Sequence, residues 1–261
     1  MRHQKKTVFV TGAARGFGRA TALGFAAEGA SVVYLVDRLR DELAAVAAEV
    51  EALGSAAVSI HGDLSTTSGC EAAIEQAIAA GGHIDVAVIN HALIAKKTPF
   101  VDLEDAQWHD ELAVNLTGYY ILAQRIARLM LARGAGGSIL FTASVSALGA
   151  GSGFAPYCVA KAGLVSLTQV MAVELGRDGI RVNCVSPGPG DTPRSEESVG
   201  LEKMTELRKG FSALPINRLV YPEEVAEAFL YLASDGAASV TGHNLLVDGG
   251  LSARIYELPD D

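Results

Sequence analysis

Seven short runs of β-branched and other apolar residues recur along this chain. All but the last lead into a longer stretch of helical periodicity, and that alternation leaves few folds open. The runs lie at 7–10, 31–36, 56–60, 84–90, 138–142, 180–185 and 245–247; the helical windows lie at 16–28, 40–53, 69–80, 104–132, 157–177 and 222–233. The runs are apolar nearly end to end instead of alternating apolar with polar. Such strands are covered on both faces, which is the mark of a parallel sheet between helical layers. Right-handed crossovers then wind the helices onto both faces. The expected fold is α/β: a single Rossmann-like, doubly wound parallel sheet of about seven strands, one domain over residues 1–261. Gly29, Gly54, Gly81 and Gly134 each follow a helical window, where a left-handed cap favours glycine. Residues 187–215 mix proline, glycine and charge and break the rhythm. A stretch that long predicts a lid or binding loop. The windows at 104–132 and 157–177 are apolar on more than one face, which predicts packing both on the sheet and on a second copy of the chain.

Composition removes several classes of function. Thirty acidic residues against 21 Lys and Arg give a net charge of −9 with no long basic stretch. This argues against nucleic acid and anionic membrane partners. Cys70, Cys158 and Cys184 lack any C-x-x-C spacing and the six histidines lack metal-site spacing, so neither a disulfide framework nor a metal site is expected. Met1 to Lys6 is basic, but the apolar run behind it covers only 8–10, too short for a signal peptide. No uninterrupted apolar run reaches the roughly 18 residues of a membrane span, and a cytoplasmic location is expected. The 28 glycines mean either low complexity or many close backbone approaches.

Their placement points to the second. Directly after the first run comes Thr11-Gly12-Ala13-Ala14-Arg15-Gly16-Phe17-Gly18, leading into a helix. Glycines there let backbone N–H groups approach a pyrophosphate at the positive helix end, although the spacing is G-x-x-x-G-x-G and a plain turn would serve as well. Asp37 ends the second run. A carboxylate there accepts the ribose hydroxyls of NAD and repels the 2′-phosphate of NADP, or it is a solvated turn acid. Arg15 and Arg38 could instead clasp a 2′-phosphate, which keeps NADP open. Tyr157 and Lys161 stand at i and i+4 on one helix face. An ammonium near a phenol stabilises phenolate, and a phenol so tuned exchanges a proton with an alcohol or ketone oxygen. Ser144, just after the fifth run, can hold that oxygen or be an ordinary loop serine.

Together these residues resemble the classical short-chain dehydrogenase/reductase family over almost the whole chain. The resemblance implies Gly12, Arg15, Gly16, Phe17, Gly18 and Asp37 as cofactor residues, with Asp63 and Leu64 at the adenine and Asn90 and Ala92 beside the dinucleotide. It implies a catalytic tetrad of Asn115, Ser144, Tyr157 and Lys161, the last two also touching the cofactor. Pro187, Gly188, Gly190 and Thr192 match the segment that closes over the nicotinamide, and Asp248-Gly249-Gly250 matches the C-terminal signature. It implies NAD as cofactor, a secondary alcohol or ketone as substrate, and a homotetramer or dimer.

The chain departs from the family at two places. Asn-Asn-Ala-Gly reads Asn90-His91-Ala92-Leu93 here, so His91 and Leu93 either fill space or reshape the pocket floor. A branched residue is replaced by Gly190, which predicts a more mobile lid. Leu93, Ser146, Phe154 and Arg194 are expected on the substrate side. Lys96, Lys97 and Arg194 form either a cationic mouth for an anionic substrate or ordinary solvated charge. Two rival readings remain: an NADP(H)-dependent ketone reductase resembling 3-oxoacyl-carrier-protein reductases, and a non-catalytic dinucleotide-binding sensor.

Overall fold

A computed structural model of the chain describes residues 1–254; the last residues of the expected domain, 255–261, lie outside the described residues. Seven parallel strands form one sheet in the order β3-β2-β1-β4-β5-β6-β7: β1 (Thr7–Thr11), β2 (Val32–Asp37), β3 (Ala56–His61), β4 (Val86–Ile89), β5 (Gly137–Thr142), β6 (Ile180–Pro187) and β7 (Asn244–Val247). The sheet is doubly wound, as the apolar runs imply. Along β1 the side chains alternate between two cores. Val8 and Val10 enter one with Phe25, Leu43 and Phe229, while Phe9 enters the other with Tyr119, Ile126 and Leu164. The first core lies under α1 (Gly16–Ala27), α2 (Arg40–Ala52) and α9 (Pro222–Ala233). The second lies under α3 (Thr67–Gly81), α5 (Gly118–Arg133) and α6 (Ala155–Leu175). Each fully buried Val, Leu or Phe contributes about 1.5–3 kcal/mol, and both faces of the sheet supply such residues.

Three expectations change in the structure. The window at 104–132 is not one helix: α4 (Asp105–Leu112) passes through a π turn at Ala113–Thr117 before α5 begins. The 187–215 stretch contains two short helices, α7 (Pro193–Val199) and α8 (Leu201–Lys209). Gly81 does not cap α3. Gly82 takes the left-handed cap at φ 86°, while a β-carbon on Gly81 would stand 2.0 Å from the Tyr34 hydroxyl. Residues 155–178, though interrupted by polar residues, are long and apolar enough by average composition to span a bilayer. That helix nevertheless packs along β6 and buries Lys161, leaving Val159, Val170 and Val173 exposed.

Candidate active site

The strand order reverses between β1 and β4, so their following helices leave to opposite faces and a crevice opens at the strand ends. A cleft of about 800 Å3 occupies that crevice. It is lined from one end by Gly12, Arg15, Gly16, Phe17, Asp37, Asp63 and Leu64, through Asn90 and Ala92, to Ser144, Tyr157 and Lys161 at the other. Pro187, Gly188, Gly190, Thr192 and Arg194 form its outer wall, with Leu93 and Ser146 at the far end. Three of the residues expected from sequence do not line it: Gly18, Asn115 and Phe154.

At the cradle, α1 begins without a side-chain cap and with no acidic residue in its first turn, which leaves its positive end facing the cleft. Gly12 lies in the left-handed region at φ 64°. Gly18 sits behind the loop, where a β-carbon would come 2.0 Å from the Gly12 carbonyl oxygen; its role is close packing of helix on loop. The Asp37 carboxylate accepts the N–H groups of Ala14 at 3.1 Å, Arg38 at 2.7 Å and Leu39 at 3.1 Å, which fixes it at the rim. Asp63 accepts the Ser65 N–H at 3.0 Å, and that bond holds its carboxyl below the usual range. Asn90 lines the cleft, but its amide is committed: Nδ2 donates to the Thr11 and Gly12 carbonyls at 3.2 and 3.3 Å, and Oδ1 accepts from Thr142 Oγ1 at 2.8 Å.

Gly190 has a steric explanation different from lid mobility. A β-carbon there would stand 2.5 Å from Phe17 Cζ, so the phenyl ring fills the volume a side chain would need. The residue is also bridged to Val220: Val220 N–H donates to Pro189 O at 3.0 Å and Asp191 N–H to Val220 O at 2.8 Å.

At the reactive end, Tyr157 and Lys161 share the first turns of α6, and Ser144 lines the same end of the cleft, its hydroxyl favouring the charged form of the Tyr157 phenol. Ser144 Oγ in turn accepts the Ser146 N–H at 3.1 Å. Burial pushes the Tyr157 phenol up to about 12, with the Ser144 hydroxyl opposing it, and pushes Lys161 down to about 7. The Lys161 ammonium lies 5.5 Å from the Tyr157 ring centroid and donates to the Thr142 carbonyl at 2.6 Å. Each group is poorly solvated as an isolated ion, so each charge is best accommodated in the presence of the other.

Asn115 is fully buried in the π turn, beneath the cleft. Its Oδ1 accepts the Leu93 N–H at 2.9 Å and its Nδ2 donates to the Leu93 carbonyl at 2.6 Å. The side chain therefore pins the loop behind β4. Phe154 stands outside the cleft wall, with Lys97 Nζ 5.8 Å from its ring centroid. Arg194 reaches across to the Ile94 carbonyl and bonds Glu197 at 3.3 Å, while Arg15 pairs with the same Glu197, so one carboxylate faces two guanidinium groups.

Two contributors, Tyr119 and Glu197, have no part in the sequence expectations, and a third, His91, weighed above as filling space or reshaping the pocket floor, makes a defined set of bonds. Thr11 Oγ1 accepts the N–H groups of Asn90 and His91 at 2.8 and 3.2 Å, so its own proton is directed to His91 Nδ1 at 2.9 Å. This leaves the ring proton on Nε2. Burial, then the Lys161 charge, drives His91 down to about 3, and it stays neutral near neutrality. Tyr119, fully buried, donates its hydroxyl to the His91 carbonyl at 2.7 Å. Its only sequence signal is the i, i+4 spacing from Asn115. For Glu197 the i, i+3 spacing from Arg194 is a local signal, but its second partner, Arg15, comes from a distant segment.

Comparison with known proteins agrees with this geometry. A family model described as enoyl-(acyl carrier protein) reductase matches residues 12–252. The L-rhamnose 1-dehydrogenase (NAD(P)(+)) of Sphingomonas sp. (strain SKA58) is 38% identical over 250 residues, covering 96% of this chain and 97% of that protein. The acetoin dehydrogenase structure from Enterobacter cloacae superposes with a TM-score of 0.88 at 34% identity, covering 98% of this chain and 99% of that one. The 3-ketoacyl-(acyl-carrier-protein) reductase structure from Brucella melitensis, complexed with NADH, gives 0.86 at 32% identity over 95% and 99%. With the motifs, sheet order and cleft in agreement, the chain belongs to the short-chain dehydrogenase/reductase family of oxidoreductases.

Proposed function

We propose that the chain is an NAD(H)-dependent dehydrogenase interconverting a secondary alcohol and its ketone, within one functional domain whose lid is residues 187–215. The observation that carries this reading is convergence in a single cleft: an uncapped helix end and Asp37 at one end, Ser144, Tyr157 and Lys161 at the other. The residues at both ends fit a nicotinamide dinucleotide, which when bound accepts or returns the hydride at its ring. Gly12, Gly16 and the first turn of α1 would hold its pyrophosphate, Asp37 a ribose, and Asp63 with Leu64 the adenine. Ser144 positions the substrate oxygen. Tyr157 takes the hydroxyl proton as hydride leaves the carbon, and returns it in reduction. Lys161 stabilises the phenolate so formed. Asn115 serves this tetrad by fixing the loop at Leu93.

Relatives named for L-rhamnose and for acetoin support a small hydroxylated substrate. The exposed valines of α6 support a homo-oligomer, dimer or tetramer, and a cytoplasmic setting is part of the same reading. The rival NADP(H)-dependent reductase draws on Arg38 at the cleft rim and on the NAD(P)(+) designation of the rhamnose enzyme. An absorbance screen at the nicotinamide band, with NAD+ and NADP+ against secondary alcohols, sugars and hydroxyketones, tests the proposal. Turnover with NAD+ at higher kcat/KM supports it, preference for NADP+ moves it to the rival, and tight NAD+ binding without turnover across the panel leaves only a sensor.

A further inference from the structure

Under the floor of the cleft a column of side chains joins four elements: Thr11 at the end of β1, His91 behind β4, Tyr119 on α5 and Lys161 on α6. The Tyr119 hydroxyl has one proton, which it donates to the His91 carbonyl at 2.7 Å. Its lone pairs then face Lys161 Nζ, which approaches to 3.4 Å, with the ammonium 4.9 Å from the ring centroid. Tyr119 is fully buried, and its ring is held in place by His91 at 4.6 Å and Phe141 at 5.9 Å between centroids. Lys161 is thus gripped from below by two oxygens, the Thr142 carbonyl at 2.6 Å and Tyr119 Oη, while Tyr157 lies beside it on its own helix.

We propose that Tyr119 is a positioning residue for the reaction, holding the Lys161 ammonium beside Tyr157 through its hydroxyl oxygen. The inference rests on the dehydrogenase reading above. A neutral hydroxyl in this place favours the charged lysine by supplying an acceptor where burial has removed water. The remaining titratable groups around Lys161 are His91 behind β4, Cys184 on β6 and Tyr157 itself, with Cys158 on α6 and Glu111 on α4 acting on Tyr157. His91 sits at about 3 and Cys184 at about 11, outside the range in which an alcohol dehydrogenase is assayed. Cys158 and Glu111 are the same in the wild type and in a variant at Tyr119, and cancel.

Tyr119→Phe removes one oxygen and keeps the ring. Loss of the acceptor makes the ammonium harder to hold, so the phenolate of Tyr157 forms at higher pH. The expected result is that the limb of the kcat/KM pH profile for alcohol oxidation moves alkaline by about half a unit or more, with NAD+ binding several-fold weaker by the fluorescence of Trp108. Adding Y119F to K161M should weaken NAD+ binding no further. Thr11→Val, which cuts the same column away from Lys161, should lower Tm without moving the limb. If Y119F folds poorly by circular dichroism, Tyr119→Met repeats the test with a flexible side chain of similar reach. A pH limb that stays in place in the folded variant, or Y119F and K161M effects on NAD+ binding that add, overturns the proposal. Wild-type turnover that survives Tyr157→Phe overturns the dehydrogenase reading instead, so the two failures are distinguishable.

Discussion

The floor of the cleft and its lid are built in opposite ways. The floor is held by short, buried, neutral bonds: Asn115 to Leu93, Thr11 to His91, Tyr119 to the His91 carbonyl, and Asn90 across three strands. The lid buries no residue of α7 and only Met204 of α8. Exposed ion pairs hold it instead: Arg194 to Glu197 and Arg208 to Asp191 and Glu196 within the segment, and Arg15 to Glu197 across to the cradle. Buried hydrogen bonds are costly to break because an orphaned group finds no water, whereas exposed pairs are screened and readily replaced. The floor is therefore suited to fixing geometry, and residues 187–215 are the more readily displaced, which suits the lid proposed for them.

Substitutions in the two regions should differ accordingly. The largest effect is expected from Lys161→Met, which should lower kcat by about 10²-fold or more while the fold persists, as steady-state kinetics and circular dichroism would show. Asp37→Ala should cut the preference for NAD+ over NADP+ by about tenfold or more, the scale of a lost charged hydrogen bond, read as a ratio of kcat/KM values. Asn115→Ala strands the N–H and carbonyl of Leu93 and should cost about 1–3 kcal/mol, a fall of several degrees in Tm.

Acid sharpens the same contrast. His91 ionises near 3 in the folded chain and near 6.5 when unfolded, so the unfolded state binds the extra proton between those values. Stability should fall as pH drops from 6.5 towards 3, by up to about 1.4 kcal/mol per unit from this group. His91→Gln should flatten that slope in a Tm-against-pH series; an unchanged slope would remove His91 as its source. The smallest effect belongs to the lid: Glu197→Gln should change stability by about 1 kcal/mol or less, and less still at high salt. A large Tm loss there would break the comparison.

The parts of the site legible in sequence are those set by local spacing. Gly12 to Gly18 between strand and helix, Asp37 at a strand end and Tyr157 four residues before Lys161 declare their geometry within one turn or one loop. The parts that escaped depend on residues distant in the chain. Phe17 and Gly190 trade volume, Glu197 serves Arg15, and Tyr119 meets Lys161 only after α5 and α6 pack on the sheet. The π turn at Asn115 escaped for another reason: it adds a residue to a turn without disturbing the apolar pattern around it. Phe154 was placed in the cleft because it lies between Ser144 and Tyr157 in sequence, yet its ring packs against Lys97.

On the reading proposed above, Tyr157 at the floor of the cleft transfers the proton while NAD+ takes the hydride. A single-turnover experiment with saturating NAD+ and the best alcohol from the screen tests it directly, comparing wild type with Tyr157→Phe at one pH. The account predicts rapid appearance of NADH absorbance in the wild type and its loss in the variant, with NAD+ binding retained. NADH formed at the wild-type rate by the variant would contradict it.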